Sequence, residues 1–173
     1  MAIIILGFRS LLLDKALSQE LKHIIITSRV LRQAKMIPAA YTCSGGDVSP
    51  QLAWSGLPSG TQSSVLLMQD PDAPSGIFSH WIAYNLPNNL TALSEDASRQ
   101  SESLRHRQGM NDFGKASYNG PCPPPGKVHH YHFQLFALDR TLSFNSLPRA
   151  ADVMEAMRGH IMAQGDFIAV YSR

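Results

Sequence analysis

Four prolines within five residues restrict the chain between Gly120 and Gly126 more than any other feature restricts it. The segment reads Gly120-Pro121-Cys122-Pro123-Pro124-Pro125-Gly126. It cannot be helix or central strand, because each proline lacks the N–H that a helix or ladder would use. Beyond it the residues alternate. His129, Tyr131, Phe133, Leu135 and Ala137 fall on one face, and His130, His132, Gln134, Phe136 and Leu138 on the other. That is strand period. A stiff loop therefore delivers the chain into a strand whose first inward side chains are an imidazole and a phenol, which suits a small-ligand pocket.

The rest of the chain after Pro38 is punctuated by turn residues: Ser44-Gly45-Gly46-Asp47, Pro58-Ser59-Gly60, Pro71-Asp72-Ala73-Pro74-Ser75-Gly76 and Pro87-Asn88-Asn89. Between them lie the β-prone runs Gln51–Trp54, Ser64–Gln69 and His80–Leu86. Regular short strands with turns between them predict a mainly β fold, a sandwich or barrel. Residues 88–117 read as a long polar excursion with at most a helical turn. Leu147–Gln164 carries a helical pattern through Ala150, Val153, Met154, Met157 and Ile161, with Gly165 as its stop and Phe167–Tyr171 as a last strand.

The start reads differently. Leu11–Lys22 has amphipathic helical spacing and Ile24–Thr27 strand character. Residues 1–23 read as an extension and 24–173 as the domain. The stripe of Leu11, Leu12, Leu17 and Leu21 would burden a monomer, so it is expected to be buried, in a symmetric homodimer or else against its own sandwich.

At 173 residues one domain with one sizeable core is expected. A formal charge of +2 gives no footprint for nucleic acid. No apolar run reaches the length of a membrane span. The start lacks the basic region and cleavage site of a secretory signal, so a cytoplasmic location is expected, with periplasm or secretion as the alternative. Cys43 and Cys122 are read as free thiols on the same compartment grounds, with a disulfide between two loops as the other reading.

If the strands at 64–69, 80–86 and 129–138 are neighbours, then Asp70 or Asp72, His80 and His129 meet at one end of a sheet, under the proline loop. Two imidazoles beside a carboxylate suit anion binding. Tyr118 adds a phenol, and Gly120 lets a ligand approach the backbone. Zinc on His129, His130 and His132 is disfavoured, because strand period turns His129 away from the other two. No serine elbow or glycine-rich phosphate loop occurs. One cis peptide is expected at Ala73–Pro74, since six prolines crowd the two pocket loops.

These residues resemble the signatures of a known family. Asp70-Pro71-Asp72-Ala73-Pro74, Gly76–Trp81, Tyr118–Pro124 and His129–Phe133 are similar, in order, to those of the phosphatidylethanolamine-binding proteins, also called the Raf kinase inhibitor family. Ile37–Cys43, Ser49–Leu52 and Asp112–Lys115 resemble its bacterial and archaeal branch. The resemblance implies a β-sandwich on a Greek-key antiparallel sheet with few peripheral helices. It implies a pocket for phosphate or phospho-head groups formed by Asp72, His80, Tyr118, Gly120, Pro121 and His129, supported by Asp70 and Tyr131. It implies no catalysis, relatives acting as modulators that bind kinases or proteases or having no settled role. No cofactor is expected. As a departure from the family's larger animal members, a C-terminal helix gating the pocket is expected to be absent. A hydrolase using His80, His129 and Asp72 is the alternative.

Overall fold

Ser63–Asp70 forms a strand with every residue buried, because both of its faces are covered. The computed structural model describes residues 22–101 and 106–173. Its strands are β1 (Lys22–His23), β2 (Ile25–Thr27), β3 (Leu52–Ser55), β4 (Ser63–Asp70), β5 (Phe78–Pro87), β6 (Ala92–Leu93), β7 (Arg107–Gln108), β8 (His129–Leu138) and β9 (Ile161–Tyr171). One α-helix, α1 (Ala150–Met157), lies between the last two.

Six strands make the large sheet in the order β1-β9-β8-β4-β5-β7, and three make the small one, β2-β3-β6. The chain leaves β5 and returns on the far side of β4 as β8, so the central trio is not consecutive in sequence. Pairing is antiparallel throughout, except that β1 runs parallel to β9. The mainly β sandwich expected from the turn spacing is therefore present.

Apolar side chains decide which face goes where. Leu66, Met68, Trp81, Tyr131, Phe133 and Leu135 from the large sheet pack with Ile24, Ile26, Leu52 and Trp54. On the other face of the large sheet, Val65, Leu67, Ile82 and Tyr84 meet Leu142, Val153 and Met157. This second cluster lies under α1 and the segment before it. Asn85 clamps that segment: its amide donates to the Leu142 carbonyl at 2.8 Å and its Oδ1 accepts from the Leu142 N–H at 2.8 Å. Asn85 sits at a register shift of the β4–β5 pair with φ +55°, a conformation that asparagine tolerates.

Several expectations need correction. The helix ends at Met157, not Gly165, because Gly159 takes φ +77° and turns the chain into β9. Gly165 lies inside β9, where a Cβ would collide with the backbone carbonyl of Ile24. Lys22 and His23, counted with the extension, form β1 in the main sheet. The rest of the helix expected over Leu11–Lys22, and with it the dimer-forming stripe, lies outside the described residues. No peptide bond among those residues is cis, so the Ala73–Pro74 expectation fails. The turn there closes in the ordinary way, with the Gly76 N–H donating to the Ala73 carbonyl at 3.0 Å. Cys43 and Cys122 are not free but joined in a disulfide that spans 79 residues. A loop of that length loses enough entropy to stabilise the fold by on the order of 4 kcal/mol in the chain-entropy treatment.

His106 is 4% exposed, and neither ring nitrogen has a hydrogen-bond partner among the described residues. Burial drives its pKa from 6.5 down to about 4. The unfolded chain therefore binds a proton more readily than the folded one between those values, and stability falls as pH drops through that window. Urea unfolding across it should show the fall, and His106→Phe should flatten it. Gly165→Ala should lower stability by roughly 1–3 kcal/mol, since the β9 backbone must move away from Ile24. Thermal unfolding at unchanged far-UV signal reads that loss.

Candidate functional site

The register of three strands builds the site. Within the β4–β5 pair Asp70 faces Phe78, and within the β4–β8 pair Gln69 faces His132. The C-terminal end of β4 is thus flanked by the starts of β5 and β8. That end carries Asp70, the start of β5 carries His80, and the start of β8 carries His129 and Tyr131. Side chains on the inner face of β8 alternate with outer ones, so His129 and Tyr131 are buried while His130 is exposed.

A cavity of about 320 Å³ opens among these ends. The buried Asp70, His80, His129 and Tyr131 form its floor, and Phe78, Phe113, Cys122, Pro123 and Pro124 line it as well. The turn Ala73-Pro74-Ser75 completes the wall. The volume lies at the small end of ligand sites.

Each histidine on the floor is held by one neighbour. His129 donates from Nδ1–H to Asp70 Oδ2 at 2.7 Å, with both side chains almost fully buried. That bond leaves Nε2 as the remaining polar atom of the ring. His80 donates from Nδ1–H to the Asn119 carbonyl at 2.8 Å, which again leaves Nε2. Burial lowers the His80 pKa below 6.5, although the carbonyls of Asn119 and Gly120 and the Asp70 carboxylate act in the other direction. Its neutral form therefore presents a lone pair at Nε2. The Tyr131 hydroxyl is buried without a hydrogen bond of acceptable geometry. Burial first, and the nearby Asp70 carboxylate second, keep that phenol protonated far above the usual range.

The ring edges and faces are interlocked. His80 meets Phe78 at 5.2 Å, Phe113 at 5.4 Å and Tyr131 at 5.2 Å between centroids, all edge to face. Phe78 and Phe113 meet at 4.9 Å in the same manner. Such pairs fix the ring planes, so the pocket is largely set before a ligand arrives.

Four of the eight expected site residues line the cavity, namely Asp70, His80, His129 and Tyr131. The other four sit elsewhere. Asp72 points outward and accepts from both the N–H and the Nδ1–H of His130, at 2.8 and 2.7 Å. Those bonds lower its pKa. Tyr118 is buried behind the site, its hydroxyl donating to the Tyr41 carbonyl at 2.6 Å and its ring against Trp81. Burial raises its pKa well above the usual phenol. Gly120 has no room for a Cβ because the Tyr41 and Thr42 backbone lies against it, so its smallness serves chain packing. The Pro121 carbonyl accepts from the Cys43 N–H at 3.1 Å.

Two residues that sequence reasoning missed hold the wall in place. Asp47 accepts from the Gly120 N–H at 2.6 Å and from Asn119 Nδ2 at 3.0 Å. Asn111 is fully buried; its amide donates to Ser117, Asn119 and His80 oxygens, and its Oδ1 accepts from the Phe113 and Lys115 N–H groups. Asn111 thus presents Phe113 to the cavity. The only sequence signal was the turn-like Asn111-Asp112-Phe113-Gly114, which many surface loops share. Among the described residues no three metal-ligating side chains converge. No helix there is long and apolar enough to cross a membrane.

Comparison with known proteins agrees with this architecture. A family profile described as phosphatidylethanolamine-binding protein matches residues 27–172. The UPF0098 protein PH1269 of Pyrococcus horikoshii is 42% identical over 158 residues, which cover 89% of this chain and 79% of that protein. A UPF0098 protein of Aquifex aeolicus is 43% identical over 152 residues, covering 86% and 88% of the two chains. Among solved structures, that of CT736 from Chlamydia trachomatis, described as a homolog of the same family, superposes with a TM-score of 0.79 at 35% identity, covering 87% of this chain and 98% of its own. Escherichia coli YbcL, described as a member of the mammalian family, superposes at 0.81 with 33% identity, covering 87% and 99%. The match across nearly all of the described residues, with both sequence and fold in agreement, establishes that this chain belongs to the phosphatidylethanolamine-binding protein family, alongside bacterial and archaeal relatives.

Proposed function

We propose that the chain is a non-catalytic binding module whose pocket takes a small anion, phosphate or a phospho-head group. The observation that carries this reading is the set of polar atoms left over on the floor. His80 and His129 are anchored through Nδ1, which leaves Nε2 of each, and the Tyr131 hydroxyl is buried beside the Asp70 carboxylate without a hydrogen bond of good geometry. Three such groups at the base of a small cavity call for a ligand with several acceptor oxygens. The phenol donates directly. The His80 imidazole donates once it carries a second proton, which the anion itself favours.

The hydrolase alternative needs a nucleophile beside a base. The Asp70–His129 pair could serve as base, but Asp72 is tied to His130 on the outside. Cys122 is bonded in the disulfide, and no hydrogen bond joins Ser75 to a histidine among the described residues. These observations support binding over catalysis. Regulation of a kinase or protease is the further part of the reading. Phe113 at the cavity and Ile77, next in sequence to the lining Phe78, are exposed apolar side chains suited to a protein partner. The disulfide supports residence in an oxidising compartment over the cytoplasm.

Binding should tighten as pH falls. His80 has a lowered pKa when free and gains a proton with the anion, so affinity rises towards acid and fades once the solution is alkaline. Calorimetry with phosphate at about pH 6 and about pH 8.5 should differ by about tenfold or more in affinity, one pKa unit of linkage being tenfold. Sulfate, whose charge is constant over this range, controls for titration of phosphate itself. His80→Gln should remove the dependence. Equal affinity at both pH values would sink the reading that the histidines hold the anion.

A further inference from the structure

The part of the pocket wall formed by Cys122, Pro123 and Pro124 is nearly free of backbone donors. From Pro121 to Pro125 only Cys122 has an N–H. The wall is therefore attached through acceptors and one covalent bond. The Pro121 carbonyl accepts from the Cys43 N–H at 3.1 Å, and the Pro123 carbonyl accepts from Arg173 Nε at 2.9 Å. The covalent bond is Cys43–Cys122.

The two sulfurs have unequal surroundings. Cys43 is an exposed residue, open to solvent. Cys122 is half-buried and faces the cavity. Its Sγ lies 3.8 Å from Arg173 Nη1, and the same guanidinium is pinned by its bond to Pro123. No Asp or Glu side chain pairs with Arg173 among the described residues. A cation beside a sulfur stabilises the thiolate there. A lower-pKa thiol is also the better leaving group in thiol–disulfide exchange.

We propose that Cys43–Cys122 is an exchange site at which a small solvent thiol of the glutathione class attacks Cys43 and expels Cys122. The incoming thiol loses its proton to solvent, and its sulfur forms a bond to Cys43 Sγ. The Cys43–Cys122 bond breaks, and its electron pair leaves on Cys122 as a thiolate beside Arg173. One disulfide replaces another, so no net oxidant or reductant is consumed. Attack of a second thiol on the Cys43 adduct would release the small disulfide and leave both cysteines reduced. The product frees the donor-poor wall and sets a negative sulfur at the cavity. On the anion reading of the pocket, both changes weaken binding.

The test uses the full chain in native buffer with reduced glutathione, followed by acid quench, alkylation and peptide mass mapping. The expected product carries glutathione on Cys43 and the alkyl label on Cys122. An adduct on Cys122 instead, or a bond that reacts only after the protein unfolds, overturns the proposal. Arg173→Gln should slow exchange by about threefold or more, from the loss of leaving-group stabilisation, while Arg173→Lys retains most of the rate. In the reduced chain, the pH profile of Cys122 alkylation by iodoacetamide should move to higher pH in Arg173→Gln. An unmoved profile overturns the role of Arg173 as partner of the thiolate. Phosphate calorimetry on the oxidised and reduced chains separates the two readings: weaker binding by the reduced chain supports the link between them. Failure of both forms to bind overturns the anion reading, while the mapped adduct would still stand for the exchange site.

Discussion

The pocket depends on the register of β4 against its two neighbours. β4 supplies only one side chain to the floor, Asp70, yet it sets where the starts of β5 and β8 fall. A slip of one residue in the β4–β8 pair would send His129 and Tyr131 to the outer face and bring His130 and His132 inward. The apolar pattern forbids that slip. Phe133 and Leu135 accompany Tyr131 into the core, and their burial would be lost together. At about 1.5–3 kcal/mol for each large apolar side chain, the core fixes the chemistry of the strand ends. The site residues need no strong preferences of their own.

The loops obey a different rule. Where β4, β5 and β8 end, ladder bonds run out, and side chains take over as connectors. Asn111 and Asp47 are short, polar and buried or partly buried, and each satisfies several polar groups at once. This is how a loop can lie close to a core without stranding polar atoms. The proline wall needs less of this, because it brings few donors to be satisfied. Its rigidity comes from fixed φ angles, and its placement from bonds made to its carbonyls.

Much of the fold was legible because it follows from period and punctuation. The runs Ser64–Gln69, His80–Leu86 and His129–Leu138 became β4, β5 and β8 with ends moved by two residues or fewer. The inward set on β8 was read from alternation alone. The end of α1 was not legible. Ile161 continues a helical spacing and also opens a strand, and only the positive φ of Gly159 separates the two. Within the site, Asp70, His80, His129 and Tyr131 were placed by strand geometry and are found together. Asp72, Tyr118 and Gly120 lie off the cavity for one common reason. Turn and loop residues have no period, so the sequence does not say whether a polar atom faces a cavity or a neighbouring backbone. The thiol reading failed because pairing across 79 residues is a property of the fold and leaves no local trace.

The sheets also differ at their margins from their centres. Among the described residues the large sheet is bounded by β1 and β7, each of two residues, and the small one by β2 and β6, of three and two. An edge that short exposes few free N–H and C=O groups in a row, so it offers a poor template on which another chain could add a strand. The long, apolar β4 and β8 are paired on both sides along most of their length, while β5 and β9 meet β7 and β1 over two residues each on their outer sides. The two central strands of the large sheet, β4 and β8, which carry Asp70, His129 and Tyr131 of the site, are thereby closed to strand addition by another chain.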